Sequence, residues 1–235
     1  MTPAEQISRL LDAVDTDQRR AVFDRLRAEF PIHQLETDLA APAEVILESF
    51  SRAGPLTRRM IRGVIAEAAF AIEVVAKLPR WEDVSPPGEH PYDLLLRDGR
   101  GPDVRVQVKL QRSEAGAPLI TKAGKHMAGG MFVAETDKSR KGKKKGAETR
   151  GYRFGSFDIL AVSLFPSTRD WSGFRYSLER WLLPRPGEPE WMYKYQPVAR
   201  EPNEDWTDDL ETAVQWLRSD VQKRVAGGTL QDDLL

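Results

Sequence analysis

The chain has 235 residues, 40% of them hydrophobic, with a formal net charge of -1 and a pI near 6.4, enough to bury one substantial core but not two large domains. The absence of cysteine excludes disulfides, thiolate zinc sites and a cysteine nucleophile, and the three histidines, His33, His90 and His126, are too scattered for a histidine metal cluster. No apolar run approaches the roughly 20 residues of a spanning helix, and Met1-Thr2-Pro3-Ala4-Glu5 lacks the basic and apolar regions of a signal peptide, so a cytoplasmic protein without a membrane association is expected.

Residues 1–54 read as amphipathic helices. Leu10, Leu11 and Val14 suit a first, Thr16 caps a second carrying Val22, Phe23, Leu26 and Phe30, and Ala43 to Phe50 suit a third. This helical accessory region is expected either to pack on the rest of the chain or to serve dimerisation. Pro55 to Leu78 predicts a long helix with Met60, Val64, Phe70, Ile72 and Val75 among its apolar positions. Glu67 sits inside its most apolar stretch, Gly63 to Phe70, where an unpaired carboxylate is costly to bury and must reach solvent, a cation or a donor. Surface pairing with Arg62 or Arg59 is the plain alternative. Glu73 is a second candidate, but six residues on it lies well around the helix, so the two would not serve one site directly.

Next come Pro91-Tyr92-Asp93 and, ten residues after the aspartate, a strand from Asp103 to Gln111. Strict alternation places Val104, Val106, Val108 and Leu110 on one face and Arg105, Gln107, Lys109 and Gln111 on the other, which is expected to be the wet one. An acidic residue beside one strand and a polar-x-Lys triplet on the next match what metal-assisted phosphodiester cleavage requires. Asp93 would hold a hard divalent cation, and the Gln107 oxygen and the Val108 backbone carbonyl would complete its shell. Lys109 would orient or activate the attacking water and offset the growing charge. His90 adjoins the motif and is a candidate substrate contact.

Met131 to Ala134 predicts a short strand, and six of the eight residues from Lys138 to Lys145 are basic: Lys138, Arg140, Lys141, Lys143, Lys144 and Lys145. In a chain near neutrality, this concentration points to a phosphate backbone rather than to a merely solvated loop. Phe157 to Phe165 is the most apolar strand, suited to the middle of a sheet. Pro166 to Asn203, rich in proline and aromatics, predicts irregular structure held by large side chains, with packing favoured over base stacking. A last helix is expected from Asp208 to Arg224, capped by Thr207.

Pro91-Tyr92-Asp93 with Gln107-Val108-Lys109 resembles the PD-(D/E)XK nuclease superfamily, which includes most type II restriction endonucleases. Gln107 departs from the usual Asp or Glu, although a glutamine variant exists in the superfamily, including a transposon-encoded endonuclease; the number of metal ions stays open. The resemblance implies an α/β fold with a restriction-endonuclease-like core, a central mixed β-sheet flanked by helices, over residues 55–165. Residues 166–235 would pack on that core, making one compact domain with the helical region. It further implies Mg2+, a catalytic set of Glu67, Asp93, Gln107 and Lys109, and a homodimer cutting double-stranded DNA at a specific site. A structure-specific or transposition-linked nuclease of the same fold, and a DNA-binding regulator that cleaves nothing, are the alternatives.

Overall fold

The computed structural model describes residues 2–30, 33–123, 128–137, 143–144, 147–148, 151–219 and 221–225. The chain divides into two units, Met1–Arg58 and Arg59–Leu235.

In the first unit the helices are α1 (Pro3–Ala13), α2 (Thr16–Glu29), α3 (Leu35–Asp38) and α4 (Ala43–Arg52), with α5 (Pro55–Ala69) beginning at its end. Thr2 and Glu5 form a capping box on α1. On α2 the cap is Asp15, whose carboxylate accepts the Gln18 N–H at 2.8 Å, and not Thr16, which is already helical. Aspartate and threonine both suit an N-cap, and Gln18 decides between them by reaching back to the Asp15 N–H. Arg27 holds Glu36 through paired hydrogen bonds and also reaches Glu44, tying α2 to α3 and α4.

In the second unit the helix expected to run to Leu78 changes character. After Ala69 it opens into a π turn, Phe70–Val74, and then tightens into a 3-10 turn, Val75–Lys77. The wider turn swings residues five apart toward a common side, and Phe70 and Val75 are both buried. The strands that follow are β1 (Glu82–Asp83), β2 (Leu94–Arg97), β3 (Val104–Leu110), β4 (Ser113–Glu114), β5 (Ala117–Pro118), β6 (Phe132–Glu135), β7 (Lys143–Lys144), β8 (Ala147–Glu148) and β9 (Ile159–Ser163). After a short helix α6 (Phe165–Thr168) come β10 (Phe174–Leu178), β11 (Pro184–Arg185), β12 (Glu188–Met192), β13 (Tyr195–Val198) and helix α7 (Leu210–Arg218).

The fold is mixed α/β around a five-stranded sheet ordered β1-β2-β3-β9-β10. β3 and β9 run parallel and the other pairs antiparallel, so the sheet is mixed, as expected. Arg105 secures the parallel pair: its side chain grips Asp158, at the foot of β9, and its carbonyl accepts the Asp158 N–H. β9 is buried along its whole length inside the sheet. Phe70 packs edge-on to Phe174, setting the helix after α5 against β10, and α7 lies on β9 and β10.

Two expectations for the C-terminal part are corrected. Pro166 to Asn203 is not irregular but supplies β10 to β13, because Phe174, Tyr176 and Leu178 alternate onto the apolar face of the sheet. The last helix is capped by Asp209, which accepts the Thr212 N–H, and not by Thr207, and it stops at Arg218. There the Arg180 guanidinium takes the carbonyls of Trp216, Leu217 and Ser219, so the final turn is satisfied from outside the helix. Trp181 and Trp206 are fully buried packing anchors.

Candidate active site

Leu94 pairs with Val106 in antiparallel register, so Asp93, one residue earlier, stands opposite Gln107 with its side chain on the same face of the sheet. The Asp93 N–H donates to the Val106 carbonyl at 3.0 Å, which ties the residue ahead of β2 to β3. Lys109, two residues beyond Gln107, shares the face. β2 begins at Leu94, and Gln111 bridges Ala134 of β6. Between those points β3 has no ladder partner on this edge among the described residues. Asp93 takes the place of one: its Oδ2 accepts the Val108 N–H at 2.8 Å.

Gln107 crosses the same point. Its Nε2 donates to Asp93 Oδ2 and, at 3.3 Å, to the Val108 carbonyl. Its Oε1 is buried and accepts no hydrogen bond. An orphaned amide oxygen inside a protein calls for a partner. The amide turned through 180° would set Oε1 beside Asp93 Oδ2 and the Val108 carbonyl, bringing three oxygens together. Those three oxygens repel one another unless a cation lies among them. The donor set is thus oxygen-rich and mixed in charge, which fits a hard divalent ion.

The electrostatics agree. Burial raises the Asp93 carboxyl above its ordinary range, against the opposing pull of Lys109 and the hydrogen bonds from Val108 and Gln107. Burial also lifts Glu67 on α5, from 4.5 to about 7, with the charge of Asp93 adding to the rise and Lys109 opposing it. Glu67 therefore belongs to the Asp93–Lys109 group electrostatically, whereas Glu73 pairs with Lys77. Two carboxyl groups face one ammonium, a deficit of positive charge that a divalent cation would reverse.

Two features escaped the sequence reading. Gln107 and Gln111, assigned to the wet face, are each 1% exposed, because Leu160 of β9 lies beside Gln107 and the Ser167 hydroxyl donates to Gln111 on a covered face. Tyr152 carries no periodic signal, yet its buried ring lies under Lys109, with Nζ 5.5 Å from the centroid. Burial and the nearby Asp93, Glu67 and Asp137 hold its hydroxyl in the protonated form. Of the other candidates, exposed His90 stacks on Tyr92. Lys138, Arg140, Lys141 and Lys145 lie outside the described residues. The backbone of Lys143 and Lys144 forms β7, paired with β8, Ala147–Glu148.

No protein-family model matches the chain, and no curated protein matches it. A solved structure of a bacterial homing endonuclease, I-Ssp6803I, is similar over 51% of this chain and 68% of that one, at 24% identity and a TM-score of 0.35. At that score the likeness is too slight to carry weight.

Proposed function

We propose that the protein is a metal-dependent nuclease acting on double-stranded DNA, of the PD-(D/E)XK kind in its glutamine variant. The observation that carries this reading is the convergence of Asp93 Oδ2, the Gln107 amide and the Val108 carbonyl at an unpaired edge of β3, with Lys109 on the same face. Asp93, Gln107 and the Val108 carbonyl would hold Mg2+, which when bound would supply Lewis acidity toward a phosphodiester oxygen. Lys109, its ammonium over the Tyr152 ring, offers positive charge where negative charge develops on the phosphate. Glu67, near neutrality, accepts a proton from the attacking water. The water oxygen forms the new P–O bond, the P–O bond to the leaving deoxyribose oxygen breaks, and that oxygen takes a proton from solvent water while Glu67 returns its own to solvent.

The finer reading is a type II restriction endonuclease that works as a homodimer in the cytoplasm, with Lys138, Arg140, Lys141, Lys143, Lys144 and Lys145 following the phosphate backbone. A structure-specific nuclease with the same chemistry is the alternative. Incubation with supercoiled plasmid in Mg2+ or in chelator tests both. Discrete linear fragments in Mg2+ support the restriction enzyme, and cleavage confined to junctions or flaps supports the alternative. Binding without cleavage in any divalent metal sinks the enzyme reading.

A further inference from the structure

We propose that the apolar faces of the N-terminal helices are the contact surface between two copies of this chain. None of the described residues from 2 to 58 is buried. Yet this stretch carries twelve exposed large hydrophobic side chains between Ile7 and Leu56. Leu10, Phe23, Leu26, Phe30, Leu47 and Leu56 are each half exposed or more. On α2, Val22, Phe23, Leu26 and Phe30 recur at the spacing of one helix face. Polar links hold these helices together, through Arg27 to Glu36 and Glu44 and the Glu36 carboxylate on the Ala43 N–H, so they have one another's charges but no shared core. Helices of this length are marginal alone in water, and most of their stability comes from covering an amphipathic face.

The size of the surface argues for a second copy. At roughly 150–200 Å2 for a large side chain about half exposed, twelve leave on the order of 1,000 Å2 of apolar surface, above the largest patch of a typical monomer. A standard stable interface takes about 800 Å2 from each partner. The sign of the charge argues against the other candidates. Residues 1–58 hold ten acidic and seven basic residues, a poor match for a phosphate backbone or an anionic lipid surface. An identical copy meets the need by pairing the same faces across a two-fold axis. That two copies are wanted rests on the proposed cleavage of both DNA strands; the location of the surface does not.

The test uses the full chain without DNA or metal, so its outcome is independent of the nuclease reading. Light scattering across a dilution series is expected to give twice 26.6 kDa for the native sequence. Phe23→Glu with Leu26→Glu is expected to weaken association by about 100-fold or more, as for residues at the centre of an interface. All six tryptophans lie between Trp81 and Trp216, so an unchanged tryptophan spectrum shows that the second unit is still folded in the variant. Because the chain has no cysteine, Arg20→Cys offers a single spin-label site on α2 in a protein that keeps the apolar face intact. A short inter-chain distance there supports the proposal even if the double variant fails to fold. A monomeric native protein, a dimer that survives the double substitution with its tryptophan spectrum intact, or labelled chains with no inter-chain distance would each overturn it. Protection of α2 amides in a monomer would identify the remainder of the same chain as the cover instead.

Discussion

The Asp93 carboxylate accepts the backbone N–H of Val108 at 2.8 Å, so a side chain stands where β3 has no neighbouring strand among the described residues. One contact thus fixes the carboxylate and turns the Val108 carbonyl region and the Gln107 amide toward it. The site is made by the place where the sheet's edge opens.

Removing that carboxylate is expected to separate chemistry from binding. Asp93→Asn keeps an acceptor for the Val108 N–H but discards the buried charge, and is expected to lower the Mg2+-dependent cleavage rate by about 100-fold or more. Band-shift affinity for DNA in chelator should hold or improve. Because burial raises the Asp93 carboxyl, the variant should also melt no lower than the native protein at pH 8 without metal. A variant that cleaves normally would remove Asp93 from the site.

Glu67 is expected to set the pH dependence. Its folded value, about 7, lies above its ordinary 4.5, so the stability it contributes is full below 4.5 and is lost as pH rises through about 7. Glu67→Gln should therefore reduce the fall in melting temperature across that window in metal-free protein. In cleavage, kcat/KM should rise with pH and level off, with the bound cation drawing the inflection below the metal-free value of about 7, and the glutamine variant should lose that inflection. An identical profile in both proteins would return Glu67 to a surface role.

A carboxylate in place of Gln107 should tighten the cation site. Gln107→Glu sets a further negative charge beside Asp93, so the metal-free variant should be less stable than the native protein and should gain more in melting temperature from Mg2+. Cleavage at low Mg2+ should be retained or improved. Loss of cleavage together with an unchanged Mg2+ response would count against a ligand role.

The basic run is tested by salt. Replacing Lys143, Lys144 and Lys145 with alanine should flatten the slope of log affinity against log salt by up to about 3 units if all three touch phosphate. An unchanged slope, read from fluorescence anisotropy, would mark these lysines as ordinary surface charge.

Much of the site was legible because period-two alternation reports which residues share a face. Gln107 and Lys109 fall together by counting, whereas Asp93 joins them only through the register of β2 on β3, where Leu94 meets Val106. Alternation is blind to how deeply a face is covered, so Gln107 and Gln111 were read as wet although Leu160 of β9 lies beside the first and Ser167 beside the second. Tyr152 was invisible for a different reason: its approach to Lys109 joins residues far apart in sequence and leaves no local pattern. The helix ends show a finer limit. Asp15 against Thr16, and Asp209 against Thr207, are neighbouring oxygens with similar capping ability, and the choice falls to the reach of Gln18 and Thr212.

The central claim is that Asp93, Gln107 and the Val108 carbonyl form one cation site, and crystals soaked in Mn2+ test it most directly. An anomalous peak is expected about 2.0–2.6 Å from Asp93 Oδ2 and the Val108 oxygen, with the Gln107 amide turned so that Oε1 faces the ion. No peak there, or a peak elsewhere with Gln107 Nε2 still on Asp93, would contradict it.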